Sequence, residues 1–207
     1  MCCVLIIAPH ADDEALGVGG TVSKLLSKNA HVHLIICGTR VNDSDEQMKN
    51  ATKHYSSVHT LPFHDESYTI QFKGILKSVE RIYNTIKPDT IYIPSDRDFN
   101  QDHRCIHQVC EIALRRYQDH SPSTIFAYEI PSSTTQSFKN NFKCTHYEQL
   151  EHKHVEHKIN TMNCYINEMR EYPNPRSNIG IETYARMRGM ECGCEYAEGF
   201  ELIYSKS

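Results

Sequence analysis

Apolar residues gather into short continuous runs, separated by longer stretches in which they recur every three or four positions. Residues 4–8 form the first run, aliphatic and β-branched and stopped by Pro9, as expected of a strand buried on both faces. Residues 16–26 follow with helical spacing. Residues 31–37 read as a second strand closed by Gly38, and Asn42-Asp43-Ser44-Asp45 offers capping residues for a helix to about His54. Residues 57–63 are a weaker third strand. From 72 to 86, Phe72, Ile75, Leu76, Val79, Ile82, Tyr83 and Ile86 share one helical face. Residues 90–93 read as a fourth strand, 103–117 as a helix and 124–129 as a fifth strand.

That alternation predicts the α/β class: a Rossmann-like three-layer sandwich with a mostly parallel central sheet, order 3-2-1-4-5, plus C-terminal elements. Beyond residue 130 the pattern changes. Residues 131–139 are Ser/Thr-rich and read as a loop, 148–168 as one polar helix, 179–188 as a further helix and 200–204 as an edge strand. With no repeat or linker, residues 1–207 read as one domain.

Composition narrows the class. A formal net charge of −4, with no dense basic block, disfavours nucleic acid. The apolar runs are too short to span a bilayer, so no transmembrane segment is expected. The first strand lacks the positive region of a secretory signal. The nine scattered cysteines, with no Cys-x-x-Cys among them, therefore read as free thiols in a reducing, cytoplasmic setting. The close pair Cys192-Gly193-Cys194 reads as coincidence rather than a metal clip. A homo-oligomer is compatible with the sequence.

Two polar clusters interrupt this ordinary pattern. Pro9-His10-Ala11-Asp12-Asp13-Glu14 follows the first strand, and so many charges behind a buried strand are costly unless a cation is present. Capping of the next helix accounts for one or two of the acids but not for the histidine. Ser95-Asp96-Arg97-Asp98-Phe99-Asn100-Gln101-Asp102-His103 follows the fourth strand; alone, it reads as Asp102 capping a helix with His103 exposed. In a 3-2-1-4-5 sheet the two clusters sit at the carboxyl ends of neighbouring strands, where the strand order reverses and ligands bind. His10, Asp13 and His103 can then supply two nitrogens and one oxygen with a position left open, an arrangement suited to catalytic zinc.

The first cluster resembles the His-Pro-Asp-Asp-Glu signature of the PIG-L/LmbE family of zinc-dependent N-deacetylases. Asn100-Gln101-Asp102-His103-Arg104 resembles its second metal motif. Pro175-Arg176-Ser177, Arg188-Gly189 and Tyr196-Ala197-Glu198-Gly199-Phe200 resemble its closing segments. The resemblance implies removal of acetyl from an N-acetylglucosamine-type amino sugar or its conjugate. It implies one Zn2+ per chain on His10, Asp13 and His103, and Asp12 as general base. Many relatives carry histidine where this chain has Asn100. An amide donates a hydrogen bond but is no acid near neutral pH, so Asn100 is expected as an oxyanion donor and the proton shuttle falls on Asp12. Asp102 is expected to orient a neighbour or to cap a helix. Arg40 and Arg176 are the substrate-arginine candidates, with a surface or structural role slightly favoured for Arg40. Specificity is expected in the loops after strands two and five and in residues 131–142.

Other features read as structural. His146, His152, His154 and His157 read as lying on a solvated helix, and Tyr83, Tyr92 and Tyr117 as facing the core. Gly17-Val18-Gly19-Gly20 lacks dinucleotide spacing and reads as close helix–strand packing. The rival functions are a zinc amidase on a non-sugar amide and a silent sugar-binding homologue. A nucleotide-binding module ranks below both.

Overall fold

The first strand is apolar throughout because it has no solvent face. Val4, Ile6 and Ala8 point into one core and Leu5 and Ile7 into the other, all fully buried. The computed structural model describes residues 2–40, 43–64, 67–138 and 142–206. The strands are β1 (Cys3–Ala8), β2 (His31–Ile36), β3 (Ser57–Thr60), β4 (Thr90–Pro94), β5 (Thr124–Tyr128), β6 (His146–Leu150) and β7 (Tyr196–Ser205). The helices are α1 (Asp13–Ser27), α2 (Asp45–Thr52), α3 (Tyr68–Ile86), α4 (Gln101–Ala113), α5 (His152–Cys164) and α6 (Asn178–Cys192), with 3-10 turns at Thr134–Gln136 and Ile166–Glu168.

The sheet order is β3-β2-β1-β4-β5-β7-β6. β1 to β5 are parallel in the expected order, and β7 runs antiparallel to both β5 and β6. Residues of α1, α2, α5 and α6 pack on one face and those of α3 and α4 on the other, which makes three layers. β1 and β4 are hydrogen-bonded neighbours in register from Val4↔Thr90 to Ile6↔Tyr92, so the segments after Ala8 and after Pro94 emerge side by side.

The C-terminal part departs from the sequence pattern. The single helix expected over 148–168 is an edge strand, β6, followed by α5. The break falls at Glu151, which forms a reciprocal capping box with His154. An edge strand with only Leu150 fully buried leaves no apolar run to read. With β6 outside it, the strand expected at the sheet edge is the interior strand β7. α4 stops at Ala113, and Tyr117 is fully exposed, whereas Tyr83 and Tyr92 are buried. Of the expected cap for α2, Asn42 lies outside the described residues, and Ser44 is the N-cap, accepting from Gln47 N–H. The glycine run does provide close packing: a Cβ on Gly17 would lie 2.2 Å from the Tyr128 ring, and one on Gly20 2.5 Å from Leu150 Cδ1.

The histidines near α5 are not simply solvated. His146 belongs to β6, where its ring lies 4.7 Å from that of Phe126. His154 is buried, and only His152 of the α5 set is exposed. The ring of His157 on α5 meets that of His54, in the turn just after α2, edge-on at 4.7 Å. Burial, His157 and Lys53 push His54 down to about 4, and burial and Lys53 lower His157 as well. The folded state thus holds both neutral while the unfolded chain protonates near the ordinary value. Their contribution is complete above about pH 6.5 and is lost as pH falls towards about 4. For half-buried groups this amounts to on the order of 1–2 kcal/mol. Urea denaturation across that range should show the loss, and His157→Gln should flatten it.

Candidate active site

The chain leaves β1 through a strained bend. Asp12 has φ 105, a left-handed conformation that costs a non-glycine residue about 1–3 kcal/mol. Glu14 holds the bend: its Oε2 accepts from Asp12 N–H at 3.1 Å, and its Oε1 accepts from Tyr165 O–H at 2.6 Å. Burial pushes the Glu14 carboxyl up to about 8, against the pull of Tyr165. Asp12 precedes α1 but makes no side-chain cap bond, so helix capping does not explain its carboxylate. Asn100 caps α4, its Oδ1 accepting from Asp102 N–H at 2.8 Å. Asp102 is therefore not the cap, and His103 is 2% exposed rather than projecting into solvent.

These two bends bring His10, Asp13 and His103 together, with one potential ligand atom from each lying within 4.8 Å of the others. Asp13 Oδ2 is 3.3 Å from His10 Nδ1 and 3.3 Å from His103 Nε2. A carboxylate stands behind each imidazole: Asp102 Oδ2 is 3.2 Å from His10 Nε2, and Asp98 Oδ2 is 3.0 Å from His103 Nδ1. Asp98 is itself held by Ser133 and Thr134 hydroxyls, both donating at 2.7 Å. Each imidazole thus has one nitrogen committed to an acid and the other facing Asp13. His10 Nδ1, His103 Nε2 and Asp13 Oδ1 are buried without a hydrogen-bond partner. Two orphaned imidazole nitrogens facing one buried carboxylate fit a metal ion, and the carboxylates behind the rings fix the tautomers such an ion requires.

The electrostatics agree with that fit. Burial opposes the charge on Asp13, but His103 and His10 outweigh it and hold the carboxyl well below the usual range. Burial likewise opposes protonation of His103, yet Asp13 and Asp98 push it up to about 10. Surroundings that retain a proton this strongly also attract a dication, which competes for the same nitrogen.

Asp12 is fully buried beside this group. Arg40 donates to its Oδ1 from both terminal nitrogens at 3.3 Å, and Arg176 Nη1 is 3.0 Å from Oδ2. Burial pushes the Asp12 carboxyl up to about 6, with Arg176 and Arg40 pulling the other way. Glu168 joins the two arginines, 3.5 Å from Arg40 and hydrogen-bonded to Arg176, and Arg176 Nε donates to Ser132 Oγ at 3.0 Å. Arg40 is thus part-buried in the site, not on the open surface. An open pocket over the group is lined by Arg40, Phe99, Asn100, His103, Ser132 and Arg176. Of the segments expected to carry specificity, the start of 131–142 reaches the site through Ser132, Ser133 and Thr134, whereas 139–141 lie outside the described residues.

Sequence reasoning missed Glu168, Tyr165 and the hydroxyls of Ser133 and Thr134. Ser133 and Thr134 follow a parallel strand, the position at which polar residues deserve suspicion. Glu168 and Tyr165 carry no such signal.

Fold and site together define an α/β protein with a buried His-Asp-His group and an adjacent buried carboxylate, held by two arginines, at the sheet's switch point. The PIG-L family, described as GlcNAc-PI de-N-acetylase, matches residues 5–114, more than half of the chain, and the chain belongs to that family. Uncharacterized deacetylase YaiS of Escherichia coli K12 is 28% identical over 144 residues, 63% of this chain and 75% of the relative. The N,N'-diacetylchitobiose deacetylase of Pyrococcus horikoshii superposes with a TM-score of 0.75 at 17% identity, covering 97% of this chain and 83% of that one. GalB, the 4-carboxy-2-hydroxymuconate hydratase of Pseudomonas putida KT2440, superposes at 0.77 with 15% identity, over 100% and 98% of the two chains. A hydratase on the same scaffold shows that the site, not the fold, must carry the functional argument.

Proposed function

We propose that this deacetylase is a zinc hydrolase that releases acetate from the nitrogen of an N-acetylglucosamine-type amino sugar or its conjugate. The observation that carries the reading is the convergence of His10 Nδ1, Asp13 and His103 Nε2 beside the buried carboxylate of Asp12. Two imidazoles and one carboxylate favour zinc over calcium or magnesium, which take oxygen shells. Zinc held there supplies positive charge to the acetyl carbonyl oxygen and makes a neighbouring water acidic.

The chain's own residues do the rest. Asp12 takes the proton of the attacking water and returns it to the departing amine. Arg40 and Arg176 orient its carboxylate and line the pocket that receives the sugar. Asp102 and Asp98 hold the two imidazoles in the tautomers that leave Nδ1 of His10 and Nε2 of His103 free. Asn100, its oxygen spent on the α4 cap, has its amide N–H groups left for the carbonyl oxygen as charge develops.

Chelation should abolish acetate release, and one equivalent of zinc per chain should restore it. N-acetylglucosamine in free, nucleotide-linked or lipid-linked form should be cleaved faster than N-acetylated amines that carry no sugar. A chelated protein that retains its rate overturns the zinc reading, and preference for the non-sugar amides overturns the sugar.

A further inference from the structure

The turn between α6 and β7 places two thiols in contact. α6 ends at Gly193, whose backbone is left-handed with φ 79 and whose N–H returns to Gly189 O. Cys194 N–H returns to the same carbonyl at 2.9 Å. The chain reverses at the glycine, and the residues on either side of it project to one side. Their sulfurs lie 3.4 Å apart. Neither regular structure brings i and i+2 together in this way, since a strand separates their Cα atoms by about 6.5 Å and a helix turns them to opposite sides.

The pair is also accessible. Cys192 is exposed, Cys194 is half-buried, and nothing lies within 4 Å of the position a Gly193 side chain would take. Cys37, Cys105 and Cys110, by contrast, are enclosed in the α3–α4 core, where burial disfavours the reactive thiolate. The thiol pair is remote from the deacetylase chemistry: α6 starts beside Arg176 and ends at Cys192, a helix about 22 Å long.

We propose that Cys192 and Cys194 form a redox-active dithiol, which closes to an intramolecular disulfide by exchange with a small-molecule disulfide. The more exposed Cys192 loses its proton and attacks one sulfur of that disulfide, whose S–S bond breaks to expel a thiolate. Cys194, deprotonated in turn, attacks Cys192 Sγ; the Cys192–Cys194 bond forms and the second small thiolate leaves. The protein gives up two protons and two electrons, and the small disulfide becomes two thiols. A ring this small strains its S–S bond, so the pair belongs with labile, reversible disulfides rather than structural ones.

The test counts thiols and does not depend on turnover, so its failure is separate from any failure of the deacetylase reading. The full chain is equilibrated over a series of glutathione to glutathione disulfide ratios, quenched in acid, alkylated with iodoacetamide and digested with trypsin. The peptide from Gly189 to Lys206 contains no other cysteine. With rising glutathione disulfide it should lose both alkylation sites and become lighter than the reduced peptide by two hydrogen atoms, and excess glutathione should reverse the change. Cys192→Ser and Cys194→Ser should each hold a single glutathione instead. A peptide that stays doubly alkylated throughout, carries glutathione on both sulfurs, or cross-links to another segment overturns the proposal.

Discussion

Asp12→Asn should lower kcat for acetate release about 10²- to 10⁴-fold, the range a positioned general base contributes, with zinc content unchanged. The substitution keeps the size of the side chain and an oxygen for Arg40, and it leaves His10, Asp13 and His103 untouched. What it removes is a basic atom where a water proton must go. The fully buried Asp12 carboxylate is held by Arg40 and Arg176 and makes no cap to α1, so a helix-stabilising role does not account for it. Acetate-release kinetics and metal analysis on the same preparation separate the outcomes. Near-normal turnover would remove Asp12 from the chemistry, and loss of zinc together with activity would make it part of the metal site.

The largest effect on stability should come from Glu198→Gln. Glu198 is 4% exposed, yet its carboxylate accepts from Lys158 Nζ at 2.6 Å and from the backbone N–H groups of Gly20 and Thr21 at 2.9 and 2.7 Å. One side chain of β7 thereby joins α1 to α5. The Gly20 position admits it, since a Cβ there would lie 3.2 Å from Glu198 Oε1 as well as against Leu150. Replacing the carboxylate leaves a buried ammonium without its counter-ion and turns an amide NH2 towards N–H donors. Breaking such a pair from one side costs about 3–5 kcal/mol, or a fall in Tm on the order of 10 °C for a chain of this size. Denaturant unfolding of the zinc-loaded protein measures it. Lys158→Met combined with Glu198→Gln should lose clearly less than the two single variants added together. A single-variant cost below about 1 kcal/mol would instead mark a screened surface pair.

Glu198 also shows where reading from sequence stops. It lies in a segment whose family resemblance was visible, but its partners are about 40 and 180 residues away, and no local pattern pairs them. The same holds for Glu168 between the two arginines and for Tyr165 on Glu14. His10, Asp12, Asp13 and His103 were legible because each sits in a dense polar cluster directly after an apolar strand. β6 was not legible, because a polar edge strand followed by helix-forming residues has neither a continuous apolar run nor a clear period.

The order of strands and helices through residue 129 follows from the chain's own periodicity, because strands buried on both faces must be continuously apolar and the helices covering them must be apolar on one stripe. That order also requires the His10 and His103 loops to meet, since parallel neighbours release their following segments at the same end. Side-chain direction was decided only in three dimensions. Asp102 turning behind His10 rather than onto the helix end, Arg40 and Arg176 closing on Asp12, and the sulfurs of residues 192 and 194 meeting across a left-handed glycine all depend on contacts between distant segments or on backbone angles. Spacing along the chain constrains neither.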